Sequence, residues 1–217
     1  MGETKLRRLT NEIDLQNEQI LEVAIQQFCE KGYAKTRMED IARILGITKT
    51  PIYYHFKDKA GLFDAAFRKA MNSLYASDAA IFAKNCGVYE KLVESFVVCA
   101  VSASQLQIDE MGRILMREGE ALRATGQYQQ EMMERFYVLK AGAMRDAQQR
   151  GEILPGADID ELYALINACY SGVLSWAGGV ALHENMTPSA KEALIKRLIG
   201  RLFEAIRPLY FFDSDKT

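Results

Sequence analysis

The sequence predicts an all-α fold of about nine helices, and three observations lead to it. Apolar residues recur at spacings of three and four along nearly all of the 217 residues, the period of a helix face. Only 4 prolines and 15 glycines punctuate the chain, which favours long elements. The run Phe96 to Val101 is β-branched, but no partner strand or hairpin signal accompanies it, so it too reads as helix. Hydrophobic residues at 49% and charged residues at 26% exclude a wholly disordered or collagen-like chain.

The elements follow in order. Asn17 reads as the cap of a first long helix, with Ile20, Leu21, Ala24, Ile25 and Phe28 on one face and Gly32 as its stop. Thr36 to Glu39 reads as a capping box opening a short helix that turns Met38, Ile41, Ala42 and Leu45 inward and ends at Gly46. Thr48 caps the next helix, through His55, with Pro51 in the first turn where proline is tolerated. Asp58 caps a fourth helix with Leu62, Phe63, Ala66, Phe67, Ala70 and Leu74 on one side. Further helices are expected near 88–105, 108–121, 127–150, 158–181 and 188–207, with Asp158 and Glu161 as a second capping box, Gly151 as a stop and Thr187-Pro188 as a start.

Several classes of protein are excluded or disfavoured. The four cysteines, Cys29, Cys86, Cys99 and Cys169, form no C-x-x-C pair, and only His55 and His183 could assist them. We therefore expect reduced thiols in a cytoplasmic protein, no metal and no cofactor. Met1 to Arg8 is charged without an apolar stretch behind it, so no signal peptide is read, and Leu6 breaks the myristoylation pattern. Leu162 to Leu182 is 21 residues without a charge, long enough to span a bilayer. Its Asn167, Ser171, Gly172, Ser175, Gly178 and Gly179 favour a buried or interfacial helix instead, so no membrane partner is expected. No G-x-S-x-G, P-loop or H-E-x-x-H occurs, His183 falls in an expected loop, and no catalytic residues are assigned.

The informative segment is Thr36 to Lys59. Two short helices flank Gly46, with Ala42 four residues before it and Ile52 six after. A small residue lets the second helix cross closely, glycine takes the positive φ of a tight turn, and Ile52 packs one helix on the other. This is helix-turn-helix spacing. Residues 31–59 hold seven bases and three acids, a balance of +4 on a chain of net charge −2, the footprint of a phosphate-binding surface. Lys49 and Thr50 stand at the end that meets base edges when such a helix enters a major groove. Tyr53, Tyr54 and His55 can donate to phosphates, and Lys59 can add a contact from the next helix.

In these residues Ile20 to Phe67 resembles the DNA-binding domain of the tetracycline-repressor (TetR) family of bacterial transcriptional regulators. The matching stretches are Ile20 to Phe28, Gly32-Tyr33, Met38 to Ala42, Leu45 to Lys49, Ile52 to Phe56, Lys59 and Leu62-Phe63, about a quarter of the chain. Pro51 departs from the pattern, since many members carry Thr, Ala or Ser there. The resemblance implies a cytoplasmic, all-helical homodimer, at the nucleoid when bound to its double-stranded operator, that usually represses transcription and is released by a small-molecule effector. It places base reading on Lys49, Thr50 and Pro51, and phosphate contacts on Thr36, Arg37, Thr48, Tyr53, Tyr54, His55 and Lys59. The expected division is 1–60 for DNA binding and 61–217 for ligand binding and dimerisation.

The second part is rich in Met, Phe and Tyr. Met111, Met116, Phe136, Tyr137, Met144, Asn167 and Tyr170 are candidate effector contacts, because flexible apolar walls suit apolar ligands; Arg113, Arg117 and Glu118 could add polarity. Ala168, Gly172, Ser175 and Gly179, with Leu194, Leu198 and Leu202, form the candidate dimer interface. The alternative is a helical ligand-binding or interaction protein without operator binding.

Overall fold

A computed structural model describes residues 2–212, with the side chains of residues 15–212 apart from 104 and 181–183. The described residues form nine helices: α1 (Gly2–Lys31), α2 (Met38–Leu45), α3 (Lys49–Phe56), α4 (Lys59–Phe82), α5 (Val88–Gln105), α6 (Ile108–Arg117), α7 (Arg123–Gln149), α8 (Ile159–His183) and α9 (Pro188–Tyr210). Phe96 to Val101 lies inside α5, as its lack of strand partners required. His183 closes α8 instead of lying in a loop.

Two of the expected starts are corrected. Helix α1 runs through Asn17 to Gly2, because no glycine or proline between Glu3 and Lys31 interrupts it; Asn17 Oδ1 is left without a hydrogen-bond partner. Thr36 does not cap α2. Arg37 holds the cap position, without a side-chain capping bond, because the Thr36 hydroxyl is turned inward. Thr48 holds the cap position of α3, also without such a bond. The other signals act as expected. Asp58 Oδ1 accepts from Gly61 N at 2.7 Å. Asp158 accepts from the amides of Asp160 and Glu161, and Thr187 accepts from Ala190 N. Gly32, Gly46 and Gly151 take φ of 80°, 66° and 80°, the left-handed turn that ends a helix.

The chain divides into two compact units, residues 1–72 with 106–130, and residues 73–105 with 131–217. The first is centred on Ile20, Ala24 and Phe28 of α1, Ile41 of α2, Ile52 of α3, and Leu62, Phe63 and Phe67 of α4, all fully buried. Phe28 meets Phe63 edge-on at 5.2 Å. The start of α7 is tied to α4: Thr125 Oγ1 donates to Asp64 Oδ1 at 2.9 Å, Arg68 lies over the Tyr128 ring at 4.0 Å, and Tyr128 donates to Asn72 at 2.9 Å.

In the second unit α9 packs on α5 and α8 around Leu92, Phe96, Met144, Ile166, Ile199 and Phe203. Its chain end is pinned by an isolated antiparallel bridge between Ile153 and Phe211. Burial pushes the Cys99 thiol up to about 12 from 9.0, Lys140 opposing and Asp78 adding to the shift.

A raised thiol pKa has a sign. Below pH 9 the thiol is neutral in both states; above it the unfolded chain ionises first, and stability falls until the folded thiol ionises near 12. Replacing Cys99 by Ser is expected to flatten the alkaline loss of stability between pH 9 and 11, by about 1.4 kcal/mol per pH unit at most. Urea unfolding at several pH values measures it; parallel wild-type and variant profiles would contradict the assignment.

Candidate nucleic-acid interface

Helix α3 is held by one face and presents the other. Ile52 is fully buried and Phe56, one turn on, is half-buried. Lys49, Thr50, Tyr53, Tyr54 and His55 are exposed; Tyr54 retains 81% of its surface. Residues 49, 50, 53 and 54 follow the one-turn spacing of a single helix side. No acid stands in the first turn of α3, so its free backbone N–H groups and lysine face solvent together, a suitable surface for phosphate. Pro51 is half-buried and Thr48 and Arg37 are exposed.

Helix α2 sets the angle of α3. Met38, Ile41 and Ala42 are buried, and Gly46 in the left-handed region turns the chain while Ile47 N donates to Ala42 O at 3.0 Å. On the outer side Glu39 faces α3: its carboxylate lies 3.7 Å from Lys49 Nζ and accepts from the Tyr53 hydroxyl at 3.4 Å. Arg43 pairs with Asp40 within α2.

Two of the expected phosphate ligands are engaged elsewhere. Thr36 is 2% exposed, and its hydroxyl lies 2.8 Å from Gly32 O and 3.0 Å from Gln27 O. Its single proton closes the end of α1, so the side chain is structural. Lys59 Nζ donates to the carbonyls of Tyr33 at 2.8 Å and Ala34 at 3.3 Å and sits 4.4 Å over the Tyr33 ring.

Three contributors escape sequence reading. Glu39 was read only as half of a capping box, yet it steers Lys49 and Tyr53. Tyr33 anchors Lys59. A Cβ on Gly61 would fall 2.2 Å from Phe56 O, so only glycine permits this close α3–α4 corner. Its one signal is a glycine within a helical pattern.

Residues 20–66 match the family model of the bacterial regulatory proteins, tetR family. The HTH-type transcriptional regulator AcrR of Shigella flexneri is 39% identical over 57 residues, 26% of this chain and 26% of that one; this alignment therefore spans about a quarter of that regulator. The HTH-type transcriptional repressor KstR2 of Mycobacterium tuberculosis is 22% identical over 163 residues, 73% of this chain and 80% of its own. Among solved structures, the SmeT–triclosan complex superposes with a TM-score of 0.69 at 21% identity, covering 93% of this chain and 94% of that one. Residues 20–66 are a TetR-family DNA-binding region, and the chain shares the fold of the solved regulator structure. TetR-family proteins are transcriptional regulators rather than enzymes, and here the helix-turn-helix is α2–α3. No helix among the described residues is long and apolar enough to cross a membrane.

The remaining candidate residues are spread over both units. Met111 is fully buried and Met116 is 85% exposed, both in the first unit. Arg113 pairs with Glu110 at 2.7 Å. Phe136, Tyr137, Met144, Asn167 and Tyr170 belong to the second unit. There Met144 is core, Tyr170 packs on Phe96 at 5.1 Å, Tyr137 donates to Asp160 Oδ1 at 2.8 Å, and Asn167 donates to Tyr163 O at 2.8 Å. A cleft of about 260 Å³ opens in the first unit between Phe56, Gly61, Asp64, Leu122 and Thr125, and none of the candidate effector contacts lines it. Ala168, Gly172, Ser175 and Gly179 form an exposed face of α8; Leu198 and Leu202 are half-buried and Leu194 is buried.

The inward Thr36 hydroxyl predicts a separable phenotype. Thr36→Val should lower unfolding stability by about 1–3 kcal/mol by leaving buried carbonyls unpaired, while the salt dependence of DNA binding stays that of the wild type. A reduced salt slope would show a direct phosphate contact.

Proposed function

We propose that the protein binds a pseudo-palindromic operator as a homodimer and represses transcription until a small, largely apolar effector releases it. The observation that carries this is the outer face of α3, where Lys49, Thr50, Tyr53 and Tyr54 are exposed above a buried Ile52. In this reading α3 enters the major groove, and Lys49, Thr50 and Pro51 meet base edges. Arg37, Thr48, Tyr53, Tyr54 and His55 grip phosphates. Thr36 and Lys59 support them by fixing the ends of α1 and α4. The functional boundary falls near residue 60, and 61–217 carries effector and dimer contacts. Such a regulator acts in the cytoplasm, on nucleoid DNA.

Two features support a dimer through α8 and α9. The exposed face of α8 carries no charge over Leu165, Ala168, Gly172, Ser175, Trp176 and Gly179, and a Cβ at Gly172 or Gly179 would meet nothing within 4 Å, leaving room for a partner helix. Two reading heads of a two-fold dimer reach half-sites one turn, about 34–36 Å, apart. Effector contacts are proposed for Phe136, Tyr137, Met144, Asn167 and Tyr170 of the second unit. Release requires that the effector prefer the DNA-free state, whatever its absolute affinity.

Operator duplexes selected from a randomised library test the reading. Affinity should fall steeply with salt; Arg37→Ala should reduce the slope by about 1, and Lys49→Ala should relax base preference at a cost of about 1–3 kcal/mol. Absence of duplex binding in dilute buffer would favour a ligand-binding protein without an operator.

Light scattering tests the assembly. The wild type should weigh twice 24.5 kDa. Gly172→Arg, on the exposed face of α8 where an added Cβ meets nothing within 4 Å, should shift it to monomer with its helicity intact. A monomeric wild type at micromolar concentration would reject the interface.

A further inference from the structure

The second unit buries a polar knot that its helices do not satisfy. Lys140 of α7 and Asp78 of α4 form an ion pair with side chains 4% and 0% exposed. The ammonium lies 4.8 Å from the Phe136 ring, 5.4 Å from Phe96 and 6.0 Å from Phe82. Only one carboxylate oxygen of Asp78 takes this contact. The other, Oδ1, is buried without a nitrogen or oxygen partner, as is Ser95 Oγ on α5; both residues are fully buried. The Cys99 thiol shares side-chain hydrogen bonds with both Ser95 and Asp78, but a thiol is only a weak donor and acceptor and does not meet the need of a buried carboxylate oxygen.

An ion pair in this setting is no stabilising necessity, since well-packed apolar residues serve a core as well or better. A buried acceptor left unmade is a further cost. The unmet atoms specify what would relieve it. Asp78 Oδ1 needs a donor; Ser95 can donate or accept; Lys140 has N–H groups facing rings rather than oxygen. Lys140 and Asp78 together are neutral, so a charged head group would leave a net charge buried, while a neutral one would not. The head group whose chemistry answers the unmet atoms is a hydroxyl, both donor and acceptor, and the rings of Phe82, Phe96 and Phe136 around the ammonium suit an apolar aromatic body.

We infer that Asp78, Ser95 and Lys140 form the polar end of a binding site for a small neutral hydroxylated aromatic molecule. This rests on reading residues 61–217 as effector-binding and adds the class of the effector's head group.

The probes are 4-propylphenol and propylbenzene, titrated into the full chain by calorimetry without DNA. The phenol is expected to bind at least about tenfold more tightly than its deoxy analogue, the discrimination that a buried polar group left unpaired enforces. Ser95→Ala should weaken that preference. The double substitution Asp78→Leu with Lys140→Met, which keeps the site neutral and filled, should fold, bind propylbenzene and lose the preference. Equal affinity for both probes, saturable binding of neither, or a preference that survives the double substitution would overturn the assignment. A knot satisfied only by one trapped water gives the first or second result. Release of operator by apolar compounds regardless of hydroxyl would sink this inference and leave the regulator reading intact; hydroxyl-dependent binding by a chain that ignores DNA would do the reverse.

Discussion

An eight-residue helix has no stability of its own in water, because nucleation outweighs so few hydrogen bonds. Helix α3 is such a helix, and it exists because Ile52 is fully buried. Burying that side chain contributes about 1.5–3 kcal/mol, comparable to the cost of ordering a few backbone residues. Everything the outer face does depends on this anchor. With Ile52 and Phe56 inward, helical geometry leaves Lys49, Thr50, Tyr53 and Tyr54 no other direction than outward. The left-handed Gly46 matters for the same reason: it lets α2 end and α3 begin close enough for Ile52 to reach the core holding Ile41 and Ala42.

The other end of α3 is fixed by a different device. Lys57 takes a φ of 63°, a strained value for a residue with a side chain, and Phe56 O comes so near Gly61 that no Cβ fits. Asp58 caps α4 beyond the bend. Lys59 then stands at the wrong end of a helix dipole for a cation, and the carbonyls of Tyr33 and Ala34 with the Tyr33 ring offset this. Helix α3 is therefore clamped between two bends, each requiring one glycine.

Much of this was legible in the sequence, and the remainder was not for identifiable reasons. Helical period, Gly32, Gly46, Gly151, Asp158 and Thr187 located the elements because each acts within one turn of its own position. Thr36 failed as a cap, and the carbonyl contacts of Lys59 went unread, because their partners, Gln27 and Tyr33, lie 9 and 26 residues away; local rules cannot see a side chain drawn off by tertiary contact. Asn17 failed as a cap because a good N-cap residue stops nothing when helix formers precede it. Sequence periodicity marked the Met and aromatic faces of the second unit as apolar but could not divide core from ligand contact, since both demand the same residues. The exposed, uncharged face of α8 was visible as spacing of small residues.

Two ion pairs, one in each unit, are placed in opposite ways, and this bears on what each can bind. At α3 the ion pair is exposed and long: Lys49 and Glu39 keep 62% and 53% of their side-chain surface. Such a pair is worth little in water, so the base-edge acceptor proposed for Lys49 can replace Glu39 with little loss, and the backbone of α2 and α3 need not move. In the second unit Lys140 and Asp78 are shut away from water, where breaking the pair leaves an unpaired buried charge and costs several kcal/mol. A ligand there must add to the pair rather than displace it. The first unit thus exchanges weak contacts for strong ones at a preformed surface. In the proposed site the second would instead complete contacts around a pair that stays in place.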